Sequence, residues 1–280
     1  MREKQLEAIQ ILLTADENYA VHIPTLLKSL QVNHPSRPFQ IHLISDGLPD
    51  ELLSALRAFC EKLHYGFSHY TVSEELFAEA PVNKHYSKAM YYRMLAFMIL
   101  PENVDRVLYL DPDVLVINSI APLWEMDMKG CLFAAASHRA PDGIVSNVNN
   151  LRLDTSSAYY NTGVLLMDLA QCRKQIQTQE IFLYLRENDY KLLLPDQDVF
   201  NALFGDRTIF IPDEIWNYDA RRYSEYLLRS GGQADENWVI RHTAILHFCG
   251  KEKPWSPRYR YRFGILYRHY RQLCRIEEER

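Results

Sequence analysis

The sequence predicts an α/β protein built on a mostly parallel sheet with helices on both faces. Three observations carry this prediction. Short apolar runs of strand length alternate along the chain with segments whose apolar residues recur at helical spacing, the order of a βαβ crossover. Those runs are continuously apolar, as strands buried on both faces must be. With 280 residues, of which 48% are hydrophobic and 24% charged, the chain can bury a large core in one sizeable domain, with or without an appendage.

The elements follow in order. Ala8 to Thr14 is the first strand, and after "ADENYA" the residues Ile23, Leu26, Leu27 and Leu30 recur at helical spacing. Phe39 to Ile44 is the second strand and leads into Ser45-Asp46-Gly47. Pro49-Asp50-Glu51 then opens a helix, since proline fits a first turn and acids complement its positive end. A further helix, about Lys88 to Leu100, stops at Pro101 and feeds a strand that ends at Asp111. Leu132 to Ser137 and Val164 to Asp168 are later strands. No repeat, low-complexity tract or linker interrupts the series, and the one compositional break is near Trp255, where arginine and aromatic residues begin to alternate.

A net charge of −5 argues against a nucleic-acid partner bound through global charge. The cysteines Cys60, Cys131, Cys172, Cys249 and Cys274 are scattered, odd in number and form no Cys-x-x-Cys pair. This indicates neither a zinc knuckle nor a disulfide framework, and favours a reducing compartment. No stretch reaches the roughly 18 uninterrupted apolar residues of a membrane span. The expected location is therefore cytoplasmic.

Chemistry first shows in "YLDPDVLV", residues 109 to 116. Ligands of α/β proteins gather beyond the carboxyl ends of strands, where Asp111 and Asp113 would sit. Residues two apart on an extended chain share a face, so both carboxylates converge on one hard cation if the extended geometry persists through Pro112. The competing reading is that one of them caps a turn. Spacing alone is a weak signal, because about one Asp-x-Asp is expected by chance at ordinary composition. A second one, Asp196-Gln197-Asp198, is present. Neither G-x-G-x-x-G nor a P-loop occurs among the ten glycines, so any nucleotide diphosphate must be met by a divalent metal and a lysine instead. "HFCGKEKPW" contains suitable groups: His247 for Mn²⁺ and Lys253 for a phosphate. Taken alone, His247 after the apolar flank Ala244-Ile245-Leu246 fits a hydrogen-bonded core histidine better than a ligand.

In order, "LTADENYA", "MYYRMLAFMIL", "RVLYLDPDVLV", "PLWEMD", "YYNTGVLLMDL", "LPDQDVFNALF" and "HFCGKEKPW" form a specific set over roughly residues 11 to 255. With these strings the chain resembles the retaining family 8 glycosyltransferases, which include lipopolysaccharide galactosyl- and glucosyltransferases and, more distantly, glycogenin. The resemblance implies a GT-A type, Rossmann-like nucleotide-diphospho-sugar transferase fold. It also implies transfer of glucose or galactose from a UDP-sugar to a hydroxyl of a saccharide or lipid-linked glycan, with retention. By the same resemblance Asp111, Asp113 and His247 hold Mn²⁺, with Mg²⁺ the alternative, and Gly250 and Lys253 line the phosphates. Thr14, Ala15, Asp16 and Asn18 hold uridine and ribose with Tyr19 beside them, while Arg93 and Asn161 face the donor sugar. Asp196 on the sugar hydroxyls and Gln197 beneath the anomeric carbon are the catalytic pair. Read without the family, Arg93 is equally a helix-surface ion-pair partner, Asn161 a turn former, and the D-Q-D stretch an N-cap for a helix Val199 to Phe204. A glutamine amide is a poor nucleophile, which favours front-face attack over a covalent intermediate. His138 stands where relatives often carry a carboxylate, and residues 139 to 158 are this chain's own insertion, so the acceptor stays open.

Two other classes share some of these features. A phosphatase of the haloacid-dehalogenase type also ends a strand in Asp-x-Asp, but it usually carries Thr two residues after the second Asp, where this chain has Leu115. A catalytically silent sugar-nucleotide-binding protein is disfavoured by the intact D-Q-D stretch. The expected division is a catalytic domain over residues 1 to 255 and a basic, aromatic helical tail over 256 to 280. Helical from about Phe263, the tail places Phe263, Leu266, Tyr267, Tyr270, Leu273 and Cys274 on one face and arginines on the other. That face either makes peripheral contact with an anionic membrane, at the inner membrane face, or docks on the catalytic domain.

Overall fold

The computed structural model describes residues 7–72, 92–137, 149, 151–153, 155, 157–188, 190 and 192–278. Its strands, in chain order, are β1 (Ile9–Thr14), β2 (Phe39–Ser45), β3 (Gly66–Thr71), β4 (Arg106–Leu110) and β5 (Val114–Val116). They continue with β6 (Phe133–Ala136), β7 (Val164–Asp168), β8 (Thr208–Ile211), β9 (Tyr218–Asp219) and β10 (Ile245–His247). A seven-stranded sheet runs β3-β2-β1-β4-β7-β6-β8, and a smaller one runs β5-β10-β9. In the large sheet only β7 opposes its neighbours, β4 and β6, so the expected mostly parallel, mixed sheet is what forms.

The continuous apolar runs have the predicted cause. Ile11 and Leu13 of β1 enter one core and Leu12 the other, and in β4 Leu108 and Leu110 part from Val107 and Tyr109 in the same way. Alternate side chains thus fill cores on opposite faces. The helix Ile23–Asn33 begins with a proline in its first turn and buries Ile23, Leu26, Leu27 and Leu30. The helix Asp50–Lys62 carries Asp50 and Glu51 in its first turn and Lys62 in its last, matching the helix dipole at both ends.

Strand order places the site. The chain leaves β1 toward β2 and β3, then returns to β4 on the other side of β1. The crevice outside the carboxyl ends of β1 and β4 is therefore a topological switch point. Because β7 is reversed, its amino end reaches the same edge, and the Asp111 N–H donates to the Gly163 carbonyl at 2.8 Å.

Several expectations are corrected. Extended geometry does not persist through Pro112: residues 112 and 113 form a turn, closed by Val114 N–H donating to the Asp111 carbonyl at 3.2 Å. The helix expected from Val199 starts four residues earlier, as Pro195–Phe204, with Leu194 as its N-cap. Of the helix expected over 88–100, residues 88–91 lie outside the described residues; the rest is a helical turn at 92–94 followed by Ala96–Ile99. His138 and most of the insertion 139–158 also lie outside them.

The tail forms the helix Gly264–Glu278. Phe263, Tyr267, Tyr270 and Cys274 are buried as the spacing predicts, and Leu266 and Leu273 pack at the edge of the core that also holds Leu115, Tyr218, Leu246 and Phe248 of the small sheet and its flanks. Polar contacts hold the helix in place. Asn33 donates to the Tyr270 hydroxyl at 3.0 Å, and the Tyr267 hydroxyl meets His22 Nδ1 at 3.3 Å. The expected membrane contact through this apolar face is not supported, because the face is spent on the protein's own core. Among the described residues no helix is long and apolar enough to cross a membrane.

Candidate active site

The turn at Pro112 does what the strand was expected to do. It carries the chain from β4 into β5, and β5 pairs antiparallel with β10 so that Val114 lies opposite His247. The Phe248 N–H donates to the Asp113 carbonyl at 3.0 Å and locks this register. One ligand atom from each of Asp111, Asp113 and His247 then lies within 4.8 Å of the others. His247 Nε2 is 3.4 Å from Asp113 Oδ1 and 3.8 Å from Asp111 Oδ2. Two carboxylates and an imidazole converging from a turn and a strand are a donor set that accepts a divalent cation, with mixed oxygen and nitrogen ligation.

Glycine at 163 makes the convergence sterically possible. A Cβ there would stand 2.3 Å from His247 Cε1 and 2.7 Å from Asp111 Oδ2, so any side chain would displace two members of the cluster. Gly250, with φ +87°, has the left-handed backbone that glycine adopts most easily, and a Cβ on it would meet Arg221 Nη1 at 2.3 Å. Asp219 holds that arginine in turn, through contacts of 2.9 and 2.7 Å.

Arg93 joins the two Asp-x-Asp stretches. Its guanidinium lies 3.1 Å from Asp111 and 3.5 Å from Asp196, donates to the Thr162 carbonyl and hydroxyl at 3.1 Å each, and covers the Tyr109 ring. Burial alone would favour losing its proton, but Asp111, Tyr109 and Asp196 outweigh that and keep it firmly charged. The helix-surface reading of Arg93 is thereby set aside. Tyr109 donates to Asp111 at 2.5 Å and shares a hydrogen bond with the Thr14 hydroxyl at 3.0 Å, tying the ends of β1 and β4 together. Lys253 forms an ion pair with Asp113, donates to the Phe248 carbonyl at 3.2 Å and lies over the Tyr19 ring. Burial pushes the Asp113 carboxyl up, yet His247 and Lys253 hold it well below the usual carboxylate range.

Asn161 donates to Gln197 Oε1 at 3.1 Å, and both line a cleft of about 430 Å³ with Tyr159, Gly250 and Cys249. Asp196, Gln197, Arg93, Asn161, Asp111, Asp113, His247, Lys253 and Gly250 are thus linked by contacts or by a shared cleft. Of the residues expected at the uridine and ribose, Thr14 ends β1 and is buried with Ala15 at its carboxyl end, and Asn18 is exposed. Asp16 caps the short helix Glu17–Ala20 by accepting the Tyr19 N–H at 2.9 Å.

Sequence reasoning did not single out Gly163, Asn217, Asp219 or Arg221. The "N-x-G" string signalled the first. The other three follow a short helix, Asp213–Trp216, and reach the site only through the pairing of β9 with β10.

A family model described as glycosyl transferase family 8 matches residues 10–258. The chain belongs to glycosyl transferase family 8. Among its relatives, general stress protein A of Bacillus subtilis (strain 168) is 28% identical over 272 residues, covering 94% of this chain and 93% of that protein. The lipopolysaccharide 1,2-glucosyltransferase of Escherichia coli (strain K12) is 27% identical over 251 residues, covering 89% and 73%. The solved structure of the galactosyltransferase LgtC with donor and acceptor sugar analogues matches with a TM-score of 0.79 at 24% identity, over 95% of this chain and 96% of that one. That likeness establishes the GT-A fold. As a family 8 glycosyltransferase the chain is a transferase, and the phosphatase alternative falls.

Proposed function

We propose that this glycosyltransferase is a retaining, UDP-sugar-dependent hexosyltransferase that moves glucose or galactose to a hydroxyl of a saccharide or glycolipid acceptor. The observation that carries the proposal is the Asp111, Asp113 and His247 cluster, linked through Arg93 to Asp196, whose neighbour Gln197 lines a cleft with Asn161 and Gly250. The names of the E. coli glucosyltransferase and the LgtC galactosyltransferase support a hexose donor.

The cluster's donor set fits Mn²⁺, with Mg²⁺ the alternative; when bound, such an ion supplies Lewis-acid stabilisation of a departing diphosphate. The chain's own residues do the rest. Lys253 offers a second positive charge at the same place, and Gly250 lets the backbone approach the phosphates closely. Thr14, Ala15, Asp16 and Asn18, with Tyr19 beside them, take the uridine and ribose. Arg93 and Asn161 orient the donor sugar. Asp196 engages sugar hydroxyls, and Gln197 lies beneath the anomeric carbon as the positive charge develops there.

In the transfer itself the acceptor oxygen bonds to the anomeric carbon on the face the diphosphate is leaving. The carbon–oxygen bond to UDP breaks, and the acceptor proton passes to the departing phosphate oxygen. A neutral amide suits Gln197 to stabilising charge rather than to forming a stable covalent bond. Residues 1–255 are the catalytic unit in this reading, with 256–280 as a docked tail. A cytoplasmic location fits cysteines that form no disulfide among the described residues.

The test is a screen of UDP-sugars for cation-dependent UDP release, with and without saccharide acceptors, followed by NMR of the product anomer. Release from UDP-glucose or UDP-galactose with a retained product is the expected result. Full activity in EDTA, or an inverted product, would overturn the proposal.

A further inference from the structure

His247 and Gln197 belong to different parts of the site, yet an unbroken line of hydrogen bonds connects them. His247 Nδ1 meets Asn217 Oδ1 at 2.8 Å, and Asn217 Nδ2 meets Asn161 Oδ1 at 2.9 Å. Asn161 Nδ2 then meets Gln197 Oε1 at 3.1 Å. Asn217 is fully buried, with 0% exposure, so its amide groups depend on these protein partners.

The direction of the whole line follows from one backbone group. The Gly163 N–H reaches the Asn161 side chain at 3.0 Å, and an N–H can only donate. The Asn161 atom it reaches is therefore the oxygen, and the other terminal atom is the nitrogen, a donor. The Gln197 atom facing that donor must be its carbonyl oxygen. The Asn217 atom facing the Asn161 oxygen must be a nitrogen, which turns the Asn217 oxygen to His247. His247 must then donate from Nδ1. In the neutral imidazole this leaves Nε2 as the lone-pair nitrogen, and Nε2 is the atom that faces Asp113 and Asp111.

We propose that Asn217 is a positioning residue that couples the two halves of the site: it sets the His247 tautomer for cation binding and, through Asn161, the orientation of the Gln197 amide. The inference rests on the proposed function for the meaning of the two ends, but the orientation of the line stands apart from it. Outer partners that orient a ligating histidine typically change metal affinity or activity by about 10- to 100-fold when lost. Asn217 and Asn161 each both accept and donate along the line, and Gln197 accepts at its end, so a change at His247 also polarises the Gln197 amide.

Two substitutions separate the ends. Asn217→Asp keeps an oxygen for the His247 Nδ1–H but puts a second oxygen against Asn161 Oδ1, so the line breaks in the middle. It should retain Mn²⁺ affinity within a few-fold, measured calorimetrically with UDP present, while kcat for UDP-sugar turnover falls about 10-fold or more at little-changed KM. Asn217→Ala should lower both Mn²⁺ affinity and kcat by about 10-fold or more. Wild-type Mn²⁺ affinity and kcat in Asn217→Ala, or wild-type kcat in Asn217→Asp, would overturn the coupling.

A third measurement needs no variant and no turnover. In ¹⁵N-histidine-labelled wild-type protein saturated with Mg²⁺, the His247 resonances should report a protonated Nδ1 and an unprotonated Nε2, and the opposite tautomer would overturn the orientation. If the wild type shows this tautomer yet turns over no UDP-sugar, the proposed function fails while the line of hydrogen bonds stands. If it turns over UDP-sugar with the opposite tautomer, only the present inference fails.

Discussion

The two Asp-x-Asp stretches have the same spacing and opposite fates. Asp111 and Asp113 both face the His247 cluster. Asp196 lies beside Arg93, whereas Asp198 is fully buried, with 0% exposure, and accepts from Arg152 at 2.7 Å through each of its oxygens. Asp198 also accepts from the Tyr159 hydroxyl and from the N–H groups of Leu193 and Leu194. The backbone explains the divergence. A turn folds residues two apart toward one point, while inside the first turn of the helix Pro195–Phe204 they point about 200° apart. A pair of carboxylates in sequence is thus a site only where the backbone brings both to the same side.

The largest effect should come from the converging pair. Asp113→Ala removes a carboxylate from the cluster and leaves Lys253 without its ion-pair partner. Turnover should fall roughly 10²- to 10³-fold, and cation binding measured by titration should weaken with it. Turnover within a few-fold of wild type would break the comparison at its first term.

Asp198→Ala should act on stability instead. Half-buried Arg152 would lose its carboxylate, and the Tyr159 hydroxyl and the Leu193 and Leu194 N–H groups their acceptor, at a cost of about 2 kcal/mol in urea unfolding. A normal midpoint with normal folding would mean that Asp198 is not the structural half of its motif.

Asp196→Asn and Gln197→Ala sharpen the same contrast from the other side. Each should lower kcat about 10- to 100-fold while changing the affinity for UDP-sugar less, since contacts that strengthen in the transition state act on rate. Their unfolding midpoints should stay near wild type, which differential scanning calorimetry would show. A variant that lost binding and rate equally would move its residue from catalysis to donor recognition.

The smallest effect concerns pH. Burial works to raise the Asp198 carboxyl, but Arg152, Tyr159 and the N–H groups of Leu194 and Leu193 outweigh it and hold its pKa below the ordinary value. A group whose folded pKa is depressed contributes stability above its unfolded pKa, near 4, and loses that contribution as pH falls through the lower folded value. The acid limb of stability against pH should therefore be shallower in Asp198→Asn than in wild type. Equal slopes would show that other carboxylates carry the limb.

Local chemistry made much of the architecture readable. Strands buried on both faces have to be continuously apolar, so β1, β2, β4, β6 and β7 stood out, as did the helix Ile23–Asn33 from its spacing. β5, β9 and β10 did not. They are two or three residues long, and such short runs acquire strand geometry only by pairing with one another. The apolar tail face was legible too, but a hydrophobic stripe does not say what covers it. Only the fold shows that the cover is the helix Ile23–Asn33 and the small sheet.

By itself the sequence determined which chemical groups are available: two acidic stretches, a histidine and a lysine in one short string, and no glycine cradle for phosphate. It also determined that the first stretch ends a buried strand, because solvation and side-chain alternation are properties of neighbours along the chain. The tertiary structure alone decided that Asp113 converges with His247 while Asp198 turns inward, that Gly163 clears space for the cluster, and that Asn217 joins it to Gln197. Those outcomes depend on the register of β5 against β10 and on the reversal of β7. A register is a relation between distant segments, and the hydrogen bonds and packing that select it exist only once both are in place.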